Sequence, residues 1–140
     1  MTENRVNRLL LVLLVLLGTL ALAQTASRVL GQPLPVEGAT PVKTFDERVL
    51  RAFAVTEGKR CQTFEGWSFK QATQDEYRKL VDGFNEALKK AGWKVESKGQ
   101  VAQGESSVEA YKLTGGKGEL IIGYWLLAKG ASQLYWCRLG

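Results

Sequence analysis

The clearest pattern of apolar and polar positions lies between Thr73 and Gly92. Thr73 and Glu76 have the spacing of a capping box, in which each side chain accepts a hydrogen bond from the other residue's backbone N–H. Gly92 can adopt the left-handed backbone conformation that ends a helix, and Trp93 can fold back onto the last turn. One long amphipathic helix is therefore predicted. Its apolar residues share one side of the helix: Tyr77, Leu80, Val81, Phe84 and Leu88.

Most other apolar positions fall into segments typical of β-strands. The segment 120–127 is apolar on both faces, as expected of a central strand covered on both sides. Glycine-containing stretches at 114–118 and 129–132 predict turns. The order of elements favours an α+β fold, with the long helix packed on an antiparallel sheet of about five strands. The predicted strands are 61–69, 93–98, 107–113, 119–128 and 133–139.

The segment before the first predicted strand allows two interpretations. Thr44 and Glu47 repeat the capping-box spacing, and Val49, Leu50 and Phe53 then share one helical face. This pattern favours a short helix from residue 45 to about residue 54. The alternative is a strand that turns at Glu57-Gly58-Lys59.

The first 23 residues have the organisation of an export signal. Arg5 and Arg8 precede an apolar run, and Ala21-Leu22-Ala23 suits cleavage before Gln24. The apolar segment 9–23 is shorter than the ~20 residues of a comfortable membrane span. We therefore expect cleavage and a secreted or periplasmic protein. The alternative is an uncleaved leader that anchors the domain outside the membrane.

All three prolines follow this leader, at Pro33, Pro35 and Pro41. Together with Gly31 and Gly38 they favour an extended, flexible linker. The predicted organisation is therefore a signal peptide over 1–23, a flexible linker over 24–43 and a single α+β domain over 44–140.

The chain contains two cysteines, Cys61 and Cys137, in the first and last predicted strands. In an exported protein an even number of cysteines favours a disulfide. Closing a loop of this length contributes roughly 4 kcal/mol in the chain-entropy treatment. The pair lacks CxxC spacing and further ligands, so a redox or metal site is disfavoured.

The expected disulfide also assigns the two faces of the sheet. Alternation puts Phe64 opposite Cys61, and Trp136 opposite Cys137. If the disulfide lies under the long helix, these rings point to the far face. In one interpretation the segment 49–53 covers that face. In the other, part of it stays open as an aromatic binding surface, where Gly66 and Gly123 would let a ligand approach the backbone. The candidate binding residues are Phe64, Tyr124, Trp125 and Trp136.

Composition narrows the chemistry. The 19 Lys and Arg exceed the 14 Asp and Glu by five, and their dispersal along the chain disfavours nucleic-acid binding. The chain has no histidine, the commonest general base and metal ligand. The TGGKGE sequence at 114–119 lacks phosphate-loop spacing, and nothing pairs Glu65 with Glu119. No catalytic residue, metal site or cofactor is predicted.

Four segments resemble small exported bacterial proteins of uncharacterised activity. They are RVLRAF at 48–53, CQTFEGWSF at 61–69, GYWLL at 123–127 and YWCRL at 135–139. The resemblance implies export and one compact domain, and it implies no activity or ligand.

These observations together predict an exported, non-catalytic domain that binds a protein partner or a small ligand, with only transient membrane contact through the leader. Two alternatives are a small histidine-independent hydrolase and an envelope-structural protein anchored by its leader.

Overall fold

A computed structural model describes residues 25–103 and 106–140 of the chain. A two-stranded hairpin comes first, and a six-stranded antiparallel sheet has the order β3-β4-β8-β7-β6-β5. The two helices lie on opposite faces of this sheet, which we call the α1 face and the α2 face. The elements are β1 (Ala26–Ser27), β2 (Gln32–Pro33), β3 (Thr40–Pro41), α1 (Arg48–Thr56), β4 (Cys61–Phe69), α2 (Gln74–Lys90), β5 (Lys94–Gln103), β6 (Ser106–Thr114), β7 (Leu120–Ala128) and β8 (Ala131–Leu139).

The α+β class and the disulfide are confirmed, but the predicted architecture is incomplete. The described residues form two helices rather than one, and the sheet has six strands rather than five. The sixth strand is the short β3, which pairs with the end of β4. The predicted signal segment over 1–23 lies outside the described residues.

Helix α2 begins and ends as its sequence predicts. The Thr73 and Glu76 bonds of the capping box are both present. At the other end Gly92 has a φ of 96°, and its N–H bonds to the Lys89 carbonyl. The Trp93 N–H reaches back to the Leu88 carbonyl, which completes a Schellman motif. Local sequence therefore defines the whole helix.

The apolar stripe of α2 forms the larger core with the sheet. Phe84 lies at its centre, with its ring centroid 5.0 Å from that of Trp125 and 5.8 Å from that of Trp136. Both indoles are completely buried. Burying aromatic rings of this size contributes several kcal/mol of apolar stabilisation. The α2 face is consequently the well-packed side of the domain.

Residues 25–43 are part of the folded domain, so the prediction of a flexible linker is wrong for them. Val29, Leu30 and Leu34 are buried in the core under α2. The carboxylate of Glu65 accepts hydrogen bonds from the Ser27 hydroxyl at 2.6 Å and from the backbone N–H groups of residues 28 and 29. Pro33 and Pro41 are the last residues of short strands, and the apolar residues between them pack on the sheet.

Helix α1 confirms the helical interpretation but begins later than predicted. The expected capping box is absent, because the cap residue is Glu47 and no side chain caps it. Instead the Asp46 carboxylate accepts a bond from the Arg48 N–H at 2.9 Å. Leu50 and Ala54 are the two residues of α1 that are buried against the sheet.

Cys61 and Cys137 form the predicted disulfide, with Cα atoms 5.5 Å apart. It lies in the core of the α1 face, on the side of the sheet away from the long helix. The register between β4 and β8 shifts between Cys61 and Thr63, so Gln62 forms a bulge. The bulge puts Phe64 on the same face as Cys61, against the alternation expected from sequence.

Candidate binding surface

The four predicted binding residues do not share a surface. Trp125 and Trp136 are both 0% exposed and lie under α2, so neither ring can meet a ligand. Phe64 and Tyr124 are half-buried on the α1 face. The predicted aromatic surface of four rings is therefore wrong. The register shift in β4 and the position of the disulfide on the α1 face explain the error.

The two glycines expected to admit a ligand are covered by the protein's own side chains. A Cβ at Gly66 would lie 2.9 Å from the Tyr135 ring and 3.1 Å from the Phe45 ring. A Cβ at Gly123 would lie 2.8 Å from the Cβ of Trp136. Both glycines therefore make room for internal packing.

The α1 face has a feature that the sequence did not indicate. Four large apolar side chains are exposed among the described residues, and all four belong to this side of the molecule: Val49, Val55, Val101 and Val108. Val55 is 74% exposed and Val101 is 67% exposed. Single exposed valines are ordinary, but their confinement to one side is a feature of interaction surfaces.

Pairing in the sheet joins part of this apolar surface into a row. Val101 pairs with Val108, and Val108 pairs with Leu126. The row therefore crosses β5, β6 and β7 on the α1 face. Helix α1 packs on β4, β7 and β8 and is only nine residues long. The β5–β6 side of the α1 face is thus left partly open.

A shallow, widely open groove runs beside α1 on the side toward β5. Its volume is about 620 Å³, and one wall carries Val49, Ala52, Phe53 and Thr56, spaced three and four residues apart on one side of the helix. Lys98 lies on the β5 side, and Glu57 lies at the end of α1. A short helix that is apolar on several sides is typical of a helix covered on those sides. Here one of those sides faces the groove.

The excess positive charge of the chain is concentrated on the same side. Residues 43–60, together with Lys94, Glu96, Lys98 and Lys112 of the α1 face, carry eight Lys and Arg against four Asp and Glu. The other described residues, within 25–103 and 106–140, carry nine Lys and Arg against eight Asp and Glu. The charge that is dispersed along the sequence is therefore gathered in space.

Each carboxylate in this basic group is neutralised by a cation. Asp46 binds Arg48, Glu47 binds Arg51, Glu57 binds Lys112 and Glu96 binds Lys98, at distances of 2.7 to 3.2 Å. The Arg48 bonds lower the pKa of Asp46 to about 2, and the Lys98 bond lowers the pKa of Glu96. Among the described residues the cations left without an ion pair on this side are Lys43, Lys59, Arg60 and Lys94.

The ionisable groups near the groove are arranged for charge pairing. The Glu57 carboxylate lies 2.8 Å from the Lys112 ammonium and raises the pKa of that lysine. A lysine held in its protonated form is a poor nucleophile. No group of three or more potential metal ligands occurs within residues 25–103 and 106–140.

Glu65, one of the two carboxylates considered for catalysis from the sequence, lies on the α2 face. Besides its bonds to residues 27–29, it accepts from the indole N–H groups of Trp67 at 3.2 Å and Trp136 at 3.1 Å. Five donors converge on its two oxygens. Glu65 therefore acts as the acceptor that ties the N-terminal residues to the sheet.

The fold and this surface define a disulfide-linked α+β domain with one face covered by a long helix and one partly open face that is basic and aliphatic. No helix in the described part of the chain has the length and apolar character needed to cross a bilayer. No family model, curated protein or solved structure matches the chain. The resemblance to small exported bacterial proteins therefore remains a prediction.

Proposed function

We propose that this protein is an exported, non-catalytic domain that binds a partner through its α1 face. The observation that carries the proposal is the coincidence on one side of all the exposed large apolar side chains and most of the excess positive charge of the described residues. Either feature alone is common on a soluble domain. Together they describe a surface with both apolar contact area and electrostatic steering.

Export is supported by the cysteine chemistry. Disulfides persist outside the reducing cytosol, and Cys61 and Cys137 are linked across neighbouring strands. The leader over 1–23 has the pattern of a cleavable signal. Intact-mass measurement on the exported protein tests both points. A mature N-terminus at Gln24 and the absence of free thiols are expected, and a retained leader would instead favour the anchored form.

Binding through the α1 face is tested by photo-crosslinking in the producing cell. A photoreactive phenylalanine analogue is placed at Val49 or Val101 on the α1 face, and at Lys79 or Gln100 on the opposite side as controls. All four positions are exposed, so the substitutions should leave the fold intact.

Discrete adducts from Val49 and Val101, with none from the two controls, are the expected result. Equal labelling from both faces, or no adducts from the α1 face, would contradict the proposal.

A further inference from the structure

We infer that the partner inserts an acidic, amphipathic helix into the groove between α1 and β5. This inference rests on the proposed function and adds the identity of the partner segment. It follows from the width of the open surface, from the charge around it and from the position of the exposed valines.

The open part of the α1 face has the dimensions of one helix. Helix α1 covers β4, β7 and β8, which leaves β5 and β6 beside it. Two strands at ~4.8 Å spacing give a width of about 10 Å. Packed helices lie about 8–10 Å apart. A second helix beside α1 would therefore cover Val101 and Val108 while its side contacts Val49 and Phe53 across the groove.

Charge selects the kind of helix. The carboxylates of this side are already paired, while Lys94, on the same strand as the groove residue Lys98, has no ion pair among the described residues. A helix with apolar residues on one side and Asp or Glu along its edges would match this surface.

The same charges disfavour two other occupants. A second copy related by a two-fold axis would present the same basic surface and repel it. The leader of this chain carries Arg5 and Arg8 before its apolar run, so it also lacks the complementary charge.

A comparison of Val49 with Val55 distinguishes binding in the groove from nonspecific binding to exposed apolar side chains. Both are exposed valines of α1, but Val49 lines the groove, and Val55 lies on another side of the helix with Arg51, Lys59 and Arg60. A helix in the groove would contact Val49 and leave Val55 free. A membrane surface would have access to both.

Peptide display tests the inference without assuming a partner. A random library of peptides of about 18 residues, or five helical turns, is selected on the disulfide-bonded protein as exported by a bacterial host. We expect enrichment of peptides that combine Asp or Glu with apolar residues at three- and four-residue spacing. Enrichment of neutral or basic peptides, or no enrichment, would overturn the inference.

Matched variants then locate the site. Val49→Ser and Lys94→Glu should each weaken binding of the enriched peptides by about tenfold, because the first removes an apolar groove contact and the second reverses the unpaired charge on β5. Val55→Ser and Lys90→Glu are the controls and should stay within about twofold, since Lys90 is an exposed, unpaired lysine on α2. Equal losses for Val49→Ser and Val55→Ser would overturn the groove assignment. Thermal unfolding of all four variants confirms that each is folded.

Two further measurements identify the competing occupants. Co-sedimentation with phosphatidylglycerol vesicles but not with phosphatidylcholine vesicles, abolished by Val55→Ser, would replace the helix with a lipid surface. Self-association in sedimentation velocity, abolished by Val49→Ser, would replace it with a second copy. Either result overturns this inference. The crosslinking from Val49 and Val101 decides the proposed function separately.

Discussion

The two faces of the sheet are built in different ways. On the α2 face a 17-residue helix with complete caps covers a continuous core, and the described residues outside the basic group of the α1 side carry nearly balanced charges. On the α1 face a nine-residue helix without a side-chain cap buries two of its residues, and four cations remain unpaired among the described residues. The comparison separates a face that supplies stability from a face that has surface available for binding.

The disulfide belongs to the less densely covered face. Cys137 is completely buried beside Leu50, Ala54 and Ile122 on the α1 face. A covalent link between β4 and β8 holds the sheet where the short helix contributes little. The surface beside α1 can then remain exposed while the disulfide maintains the stability of the domain.

The largest expected difference between the faces comes from removing one phenylalanine from each. Phe84→Ala should lower the free energy of unfolding by about 3–5 kcal/mol, because it opens a cavity against two buried indoles. Phe53→Ala, at a half-buried position on α1, should cost about 1–2 kcal/mol. Urea unfolding followed by tryptophan fluorescence measures both. Equal losses would contradict the assignment of stability to the α2 face.

Removing the disulfide should have the next largest effect. The cysteines are 76 residues apart in sequence, and opening the loop should cost roughly 2–4 kcal/mol. The Cys61→Ala, Cys137→Ala double variant and the reduced wild-type protein should agree in urea unfolding. Hydrogen exchange should increase more in α1 than in α2. Unchanged stability after reduction would show that the α1 face is held by packing alone.

The two threonines with capping-box spacing should differ by a smaller amount. Thr73→Ala should cost about 1 kcal/mol, because its hydroxyl accepts the Glu76 N–H at 3.2 Å. Thr44→Ala is the control and should change the free energy of unfolding by less than about 0.5 kcal/mol, since the cap residue of α1 is Glu47. A comparable loss at Thr44 would show that it supports α1 in some other way.

The last prediction concerns two buried tyrosines of the α2 face, whose effect on stability is small at neutral pH and appears at alkaline pH. Burial raises the pKa of Tyr77 to about 12 and raises that of Tyr111 well above its usual value. Above about pH 10 the unfolded chain loses these protons while the folded protein keeps them. The free energy of unfolding should therefore fall as the pH rises from about 10 toward 12.

Urea midpoints at about pH 9 and about pH 11 measure this fall. Tyr77→Phe should reduce it, and it should cost little at neutral pH because the Tyr77 hydroxyl has no hydrogen-bond partner among the described residues. An undiminished alkaline fall in that variant would assign the effect to other groups.

Sequence predicted well where the determining contacts are local. The capping box, the apolar stripe and the glycine stop of α2 involve residues within one or two helical turns. The two-residue turn between β7 and β8 likewise depends on Lys129 and Gly130, whose φ angles are 52° and 79°. The short helix was predicted as a helix, but at its start the Asp46 carboxylate, rather than Thr44, accepts a backbone hydrogen bond.

Prediction from sequence was wrong where contacts between residues distant in the chain determine the structure. Pro33 and Pro35 indicated a linker, but Glu65 and the core under α2 fix this segment in place. Trp136 was a candidate surface residue, yet it is buried under α2. The disulfide lies on the α1 face, so the neighbouring Trp136 points to the opposite face. The binding surface proposed here could not be found along the chain, because Val49 of α1 and Lys98 of β5 come together only in the folded protein.

The amino-acid sequence by itself determined the α+β class, the long helix with both of its ends, and the pairing of the two cysteines. Each of these depends on neighbouring residues or on there being one partner to choose. Only the tertiary structure decided which face each strand residue occupies, because a single bulge at Gln62 reverses the alternation of side chains. Tertiary structure also gathered a dispersed charge onto one side, because folding brings α1 and β5 together on the same face.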